Sequence, residues 1–129
     1  MIEVLRSDWL FLRSHPIGSR YTCTPPVMDT DKDTVILVTD IAKAEARLLS
    51  EDWVPCLKGE YFDTYFKAFR KGVDNYVIVS NEDAFQRYII AAEVCKALNV
   101  QSKEDRCKAY QACLEASQGF IGIYDWKET

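Results

Sequence analysis

Asp31-Lys32-Asp33-Thr34-Val35-Ile36-Leu37-Val38-Thr39 is the stretch on which the fold turns. Thr34 to Thr39 is β-branched, apolar and too short for a buried helix, so it reads as a strand. Its unbroken apolar run predicts burial on both faces, hence a sheet covered on each side. The acids come just before it. Residues two apart in a strand share a side, so Asp31 and Asp33 are expected to present two carboxylates together where the strand begins.

Downstream, Ala42 to Ser50 is alanine-rich and charged and predicts a short helix. Phe62 to Arg70 fits either period, but Lys71-Gly72-Val73-Asp74 and then Asn75 to Ser80, a second clear strand, favour a hairpin. Ser80 with Asp83 has capping-box spacing, and Glu82 and Asp83 suit a helix start. Phe85, Tyr88, Ile89, Ala92 and Cys95 would be the buried face of that helix, which runs to Leu98 with Asn99 as its stop. Ser102 and Asp105 repeat the cap, and Cys107, Tyr110 and Leu114 line a last helix ending before Gly119.

Upstream, Ile2, Leu5, Trp9 and Leu12 form a helical stripe over 2–14, ended by Pro16. A short extended stretch at 15–17 leads to Gly18, and 18–31, with Pro25 and Pro26, reads as a long irregular loop. The order is helix, loop, strand, helix, two strands, two helices: an α+β (mixed α/β) fold with a small sheet and flanking helices. The predicted core is Val35, Ile36, Leu37, Val38, Val77, Val79, Phe85, Ile89, Leu98, Tyr110 and Leu114.

No repeat, linker or composition break divides the 129 residues, so one domain spanning 1–129 is expected. With 48% hydrophobic and 28% charged residues, the chain is neither disordered nor of low complexity. No apolar run nears the length needed to cross a bilayer, and Met1-Ile2-Glu3-Val4 lacks a signal-peptide start. No membrane partner is expected, and the expected location is cytoplasmic, which for a viral source means the host cytoplasm. The five cysteines, Cys23, Cys56, Cys95, Cys107 and Cys113, are scattered without a C-x-x-C pair and read as reduced thiols. The net charge of −4 argues against a nonspecific nucleic-acid coat. Local basic groups remain: Arg13 and Arg20 around a turn, then Lys67, Arg70 and Lys71.

Two close carboxylates repel unless a cation sits between them or one is protonated. A magnesium-type ion binds through one or two carboxylates, waters and substrate phosphates. Gly18 allows backbone to approach a phosphate, and Ser19 adds donors. Ile17-Gly18-Ser19-Arg20, a spacer, then Asp31-Lys32-Asp33 entering a strand resembles the nucleotidyltransferase superfamily related to DNA polymerase β. The likeness is to its minimal single-domain members and to nucleotidyltransferases inferred in tailed bacteriophages. It covers 15–80 by motif and about 2–116 by element order.

The resemblance implies in-line attack of an acceptor oxygen on the α-phosphorus of a nucleoside triphosphate, with pyrophosphate leaving. It implies Mg2+ or Mn2+ on Asp31 and Asp33, the β- and γ-phosphates at Gly18 and Ser19, and Arg20 on phosphate or paired with an acid. Arg70 and Lys71 would be secondary phosphate contacts. Asp74 is the candidate third carboxylate, the base toward the attacking hydroxyl; its plain alternative is a hairpin-turn aspartate. The acceptor, whether protein, RNA or small molecule, is left open.

Three departures qualify the pattern. Lys32 stands where an apolar residue is usual between the acids, and could neutralise the pair without metal, as in a catalytically silent binding or inhibitory module. Asp29-Thr30-Asp31 offers a second register, ending three residues before Thr34. Active members of the superfamily usually place a further carboxylate on a neighbouring strand, for which Asp74 is the candidate here, and the acidic run itself could be a solvated turn.

Overall fold

The computed structural model describes residues 5–6, 9–24, 32–55 and 66–114. Five strands form one mixed sheet: β1 (Phe11–Ile17), β2 (Lys32–Val38), β3 (Val54–Pro55), β4 (Phe66–Lys71) and β5 (Asp74–Val79), in the order β1-β2-β5-β4-β3. Four helices accompany them among the described residues: α1 (Ser19–Thr22), α2 (Ile41–Ser50), α3 (Glu82–Ala97) and α4 (Lys103–Leu114). The α+β expectation holds, with β2 near the middle of the sheet.

The acid-led strand is buried on both faces, as its unbroken apolar run requires. Ile36 and Val38 point to one side with Phe69, Tyr76 and Ile78, against Leu10, Ile41, Leu48 and Trp53. The Trp53 ring stacks on Tyr76 with centroids 4.2 Å apart. Val35 and Leu37 point to the other side with Ala68, Val77 and Val79, against Phe85, Tyr88, Ala92 and Leu114. Thus α2 covers one face, and α3 with α4 the other.

The hairpin expected from Lys71-Gly72-Val73-Asp74 is present as β4 and β5, paired antiparallel from Phe66↔Val79 to Lys71↔Asp74. Gly72 takes φ 62° at the first turn position, where a tight hairpin turn needs a left-handed residue. Residues 62–65 of the expected strand lie outside the described residues.

Four expectations need correction. The helix expected over 2–14 does not reach its end: among the described residues Leu5 and Arg6 are helical, but Phe11–Ile17 is the edge strand β1, antiparallel to β2. The i, i+3 spacing misled because Trp9 and Leu12 face solvent, 88% and 50% exposed, so they form no buried stripe. Ser19–Thr22, expected as loop, is a short helix nucleated where Gly18 O accepts from Tyr21 N and Thr22 N. The α3 cap is Asn81, not Ser80; Asn81 Oδ1 accepts from Asp83 N at 2.8 Å and Ala84 N at 3.2 Å. Finally, Leu98 is 71% exposed and outside the core, because it follows the last turn of α3.

Candidate functional site

The resemblance rests on Gly18 and Asp33 lying together, and the β1–β2 pairing brings them there. Ile17 pairs with Asp33, so the turn that follows β1 sits beside the start of β2. Gly18 has φ 80° and ψ 179°, a backbone region open essentially only to glycine. A β-carbon at position 18 would stand 2.1 Å from Asp33 Oδ2 and 2.9 Å from Asp33 Cβ. The glycine is therefore demanded twice, by its own backbone angles and by the carboxylate packed against it.

Asp33 is half-buried and anchors a polar row across the sheet. Its Oδ1 accepts from Asn75 Nδ2 at 2.9 Å, and Asn75 Oδ1 accepts from Arg70 Nε at 3.0 Å. The row follows from register: Asp33 pairs with Asn75 in the parallel β2–β5 ladder, and Asn75 with Arg70 in the antiparallel β5–β4 ladder. All three lie on the face covered by α3 and α4. From α4, the Tyr110 hydroxyl accepts from Gly18 N at 3.2 Å. Burial of the Tyr110 phenol, with the Cys95 and Asp33 charges adding to it, holds its pKa well above the usual tyrosine value, although the Gly18 N–H pulls the other way.

The Gly18 turn is braced from α3 as well. Tyr21 of α1 donates its hydroxyl to Glu93, which raises the Tyr21 pKa, with burial and the Glu93 charge adding to the effect. Lys96 Nζ lies 4.1 Å from the Tyr21 ring centroid. Beyond α1, Asn99 grips Thr24 through Thr24 N to Oδ1 at 2.8 Å and Nδ2 to Thr24 O at 3.1 Å.

The remaining sequence candidates fall as follows. Ser19 and Arg20 are half-buried at the start of α1, directly after Gly18. Asp31 lies outside the described residues, as do Asp29 and Thr30 of the alternative register. Lys32 is in register with Asp74, and Asp74 with Lys71. Alternation puts these three on the opposite face from Asp33, toward α2. There Lys71 Nζ donates to Glu51 O at 2.8 Å, while Lys67 pairs with Glu45 at 3.1 Å. Lys32 therefore does not neutralise Asp33, and Asp74 does not join it. The residue beside Asp33 on the neighbouring strand is Asn75.

Sequence reasoning missed Asn75 and Tyr110. Asn75 adjoins the chosen Asp74, but a one-residue change of register exchanges the two faces of a strand, and the β2–β5 register is not legible in one sequence. Tyr110 read as a core aromatic; its contact with Gly18 spans 92 residues.

The donor set fits a hard cation only in a restricted sense. Among the described residues no group of three or more His, Cys, Asp or Glu side chains is placed to hold a metal. One carboxylate, Asp33, stands at the site, which suits an ion that keeps waters and takes substrate phosphates, not a cage built by protein alone. Comparison with protein-family models, with curated proteins and with solved structures gave no match. Among the described residues no helix is long and apolar enough to cross a membrane.

Proposed function

We propose that the Gly18–Asp33 end of the sheet takes a nucleoside triphosphate with Mg2+ or Mn2+, and that the protein transfers the nucleoside monophosphate to an acceptor in the manner of minimal nucleotidyltransferases. The observation that supports this reading is the packing of the Gly18 backbone against the Asp33 carboxylate. It unites, at the start of β2, the two halves of a motif that sequence separates. Asp33, with Asp31 before it, would hold the cation. When bound, that ion would withdraw charge from the phosphate oxygens and ease departure of pyrophosphate.

The chain's own residues orient the rest. Asn75 Nδ2 fixes Asp33 Oδ1, leaving Oδ2 toward the Gly18 turn. Asn75 Oδ1 in turn holds Arg70 Nε, which aims a planar guanidinium suited to phosphate along the same face. Tyr110 and Tyr21 fix the turn that carries Ser19 and Arg20. In this reading Lys71 and Asp74, on the other face, have no part in the site.

Asn75 favours a second reading. An amide cannot accept the acceptor's proton or share a second metal ion as a carboxylate does. With Asn75 beside Asp33, the same site would bind nucleotide without turning it over, and the protein would act as a binding or inhibitory module. Titration calorimetry with each common nucleoside triphosphate and Mg2+ or Mn2+, followed by a pyrophosphate-release assay, separates these. Binding with release supports transfer, and binding without release supports the silent module. Absence of binding removes both.

A further inference from the structure

We propose that Tyr110 binds the ligand directly, giving its hydroxyl proton to a phosphate oxygen of the nucleotide. This rests on the triphosphate reading above and adds to it a donor from α4. The Tyr110 oxygen lies 3.2 Å from Gly18 N and accepts its proton, although the two residues are 92 apart in the chain. Gly18 in turn packs on Asp33, since a β-carbon on the glycine would stand 2.1 Å from Asp33 Oδ2. The phenol, the glycine turn and the carboxylate thus meet at the start of β2. A phosphate that approaches the Gly18 backbone comes within reach of this hydroxyl.

A phenol has one proton to donate and lone pairs with which to accept. The Gly18 N–H engages the oxygen as an acceptor, which leaves the proton to give. Asp33 acts on the phenol through its charge and not through a hydrogen bond. Its Oδ1 accepts instead from Asn75 Nδ2. Among the described residues no group accepts from the Tyr110 hydroxyl. The ring itself is held, packed against the core beneath α3 and α4 and edge-on to Tyr88 with centroids 6.1 Å apart.

The chemistry of the group suits phosphate. Burial, with the Cys95 and Asp33 charges adding to it, holds the phenol pKa well above the usual tyrosine value, so the proton is present at neutral pH. The Gly18 N–H pointing into the oxygen polarises the O–H and strengthens it as a donor. A hydrogen bond from a hydroxyl to an ionised oxygen is roughly twice as strong as one between neutral groups. A lysine or arginine in this place would pair with Asp33 and compete with a cation for it. A neutral hydroxyl holds the phosphate and leaves Asp33 to the metal.

The test is titration calorimetry of the full chain, in Mg2+, with each common nucleoside triphosphate and with tripolyphosphate, which has no sugar or base. Tyr110→Phe keeps the packed ring and removes the hydroxyl. It should weaken both kinds of ligand at least tenfold, as expected for loss of a hydrogen bond to a charged group. Because Tyr110→Phe also loses the Gly18 bond, tyrosine fluorinated beside its hydroxyl and incorporated at position 110 gives a second readout. Fluorine makes the phenol a stronger donor and a weaker acceptor. Donation to phosphate predicts tighter binding with the monofluorinated ring and tighter still with the difluorinated one. Weaker binding by the fluorinated chains would make Tyr110 only a brace for Gly18, and tighter binding by Tyr110→Phe would make it an obstruction; either overturns the proposal. So does binding by Tyr110→Phe within twofold of wild type, or a loss confined to the nucleoside triphosphates, since the proton then goes to sugar or base. If the wild-type chain binds neither kind of ligand, the triphosphate reading falls and this inference with it, whereas binding that ignores Tyr110 removes this inference alone.

Discussion

Replacing Gly18 with alanine tests whether the turn after β1 and the acid of β2 form one unit. Two costs arise. The backbone at φ 80° and ψ 179° is a region that non-glycine residues enter at a penalty of about 1–3 kcal/mol. The new methyl would also stand 2.1 Å from Asp33 Oδ2, so the carboxylate must swing away and surrender its bond from Asn75. A hydrogen bond to a charged group contributes about 1.5–3 kcal/mol. Together Gly18→Ala should lose about 2.5–6 kcal/mol, read as a fall in the urea midpoint at unchanged m-value. A double-mutant cycle isolates the second cost. In an Asp33→Ala background Oδ2 and the Asn75 bond are already gone, so Gly18→Ala should cost only the backbone share plus whatever the 2.9 Å approach to Cβ adds. The expected coupling is about 1.5–3 kcal/mol. A wild-type midpoint in Gly18→Ala, or strict additivity in the cycle, would refute the contact on which the site is built.

Other expectations are as direct. Leu114→Ala, which empties a fully buried position where α4 meets the sheet, should cost about 2–5 kcal/mol in chemical denaturation. Asn75→Asp sets a second carboxylate on Asp33 and should lower the unfolding free energy in urea titrations by about 1–3 kcal/mol, with millimolar Mg2+ restoring part of it; a loss that Mg2+ leaves untouched would count against a cation at this end of the sheet. For Tyr110 the folded pKa lies above the unfolded value of 10.0, so the folded state binds the extra proton. Its contribution is fully present below pH 10 and is lost as pH rises toward the folded pKa, at about 1.4 kcal/mol per pH unit. Tyr110→Phe should therefore be less stable near neutrality, having lost the Gly18 N–H acceptor, yet should fall less steeply above pH 10 in parallel urea titrations.

Which parts of this molecule could be read from its sequence follows from the range of the interactions involved. β2, the β4–β5 hairpin and α2 to α4 are set by local patterns: β-branched runs, a glycine turn, polar caps and a 3.6-residue repeat. β1 was not legible, because its residues alternate charge and apolarity weakly and half of them are exposed on an edge strand, while Trp9 and Leu12 mimic a helical stripe. At the site, the Gly-Ser and Asp-x-Asp spacing sufficed to link Gly18 with Asp33, since an antiparallel return of β2 on β1 is the short connection. The facing of Asp74 and Lys32 was not legible. Their side depends on how β5 registers against β2, and a shift of one residue exchanges Asp74 for Asn75.

The most direct measurement is titration calorimetry of the wild-type chain and of Asp33→Asn with each common nucleoside triphosphate, with and without Mg2+. Asp33→Asn keeps the size of the side chain and removes its charge, so the fold should survive while the cation loses its described ligand. The proposed function predicts saturable, Mg2+-dependent binding to wild type that Asp33→Asn loses at least tenfold. Binding that is indifferent to Mg2+ and to Asp33→Asn, or no heat with any triphosphate, would contradict it.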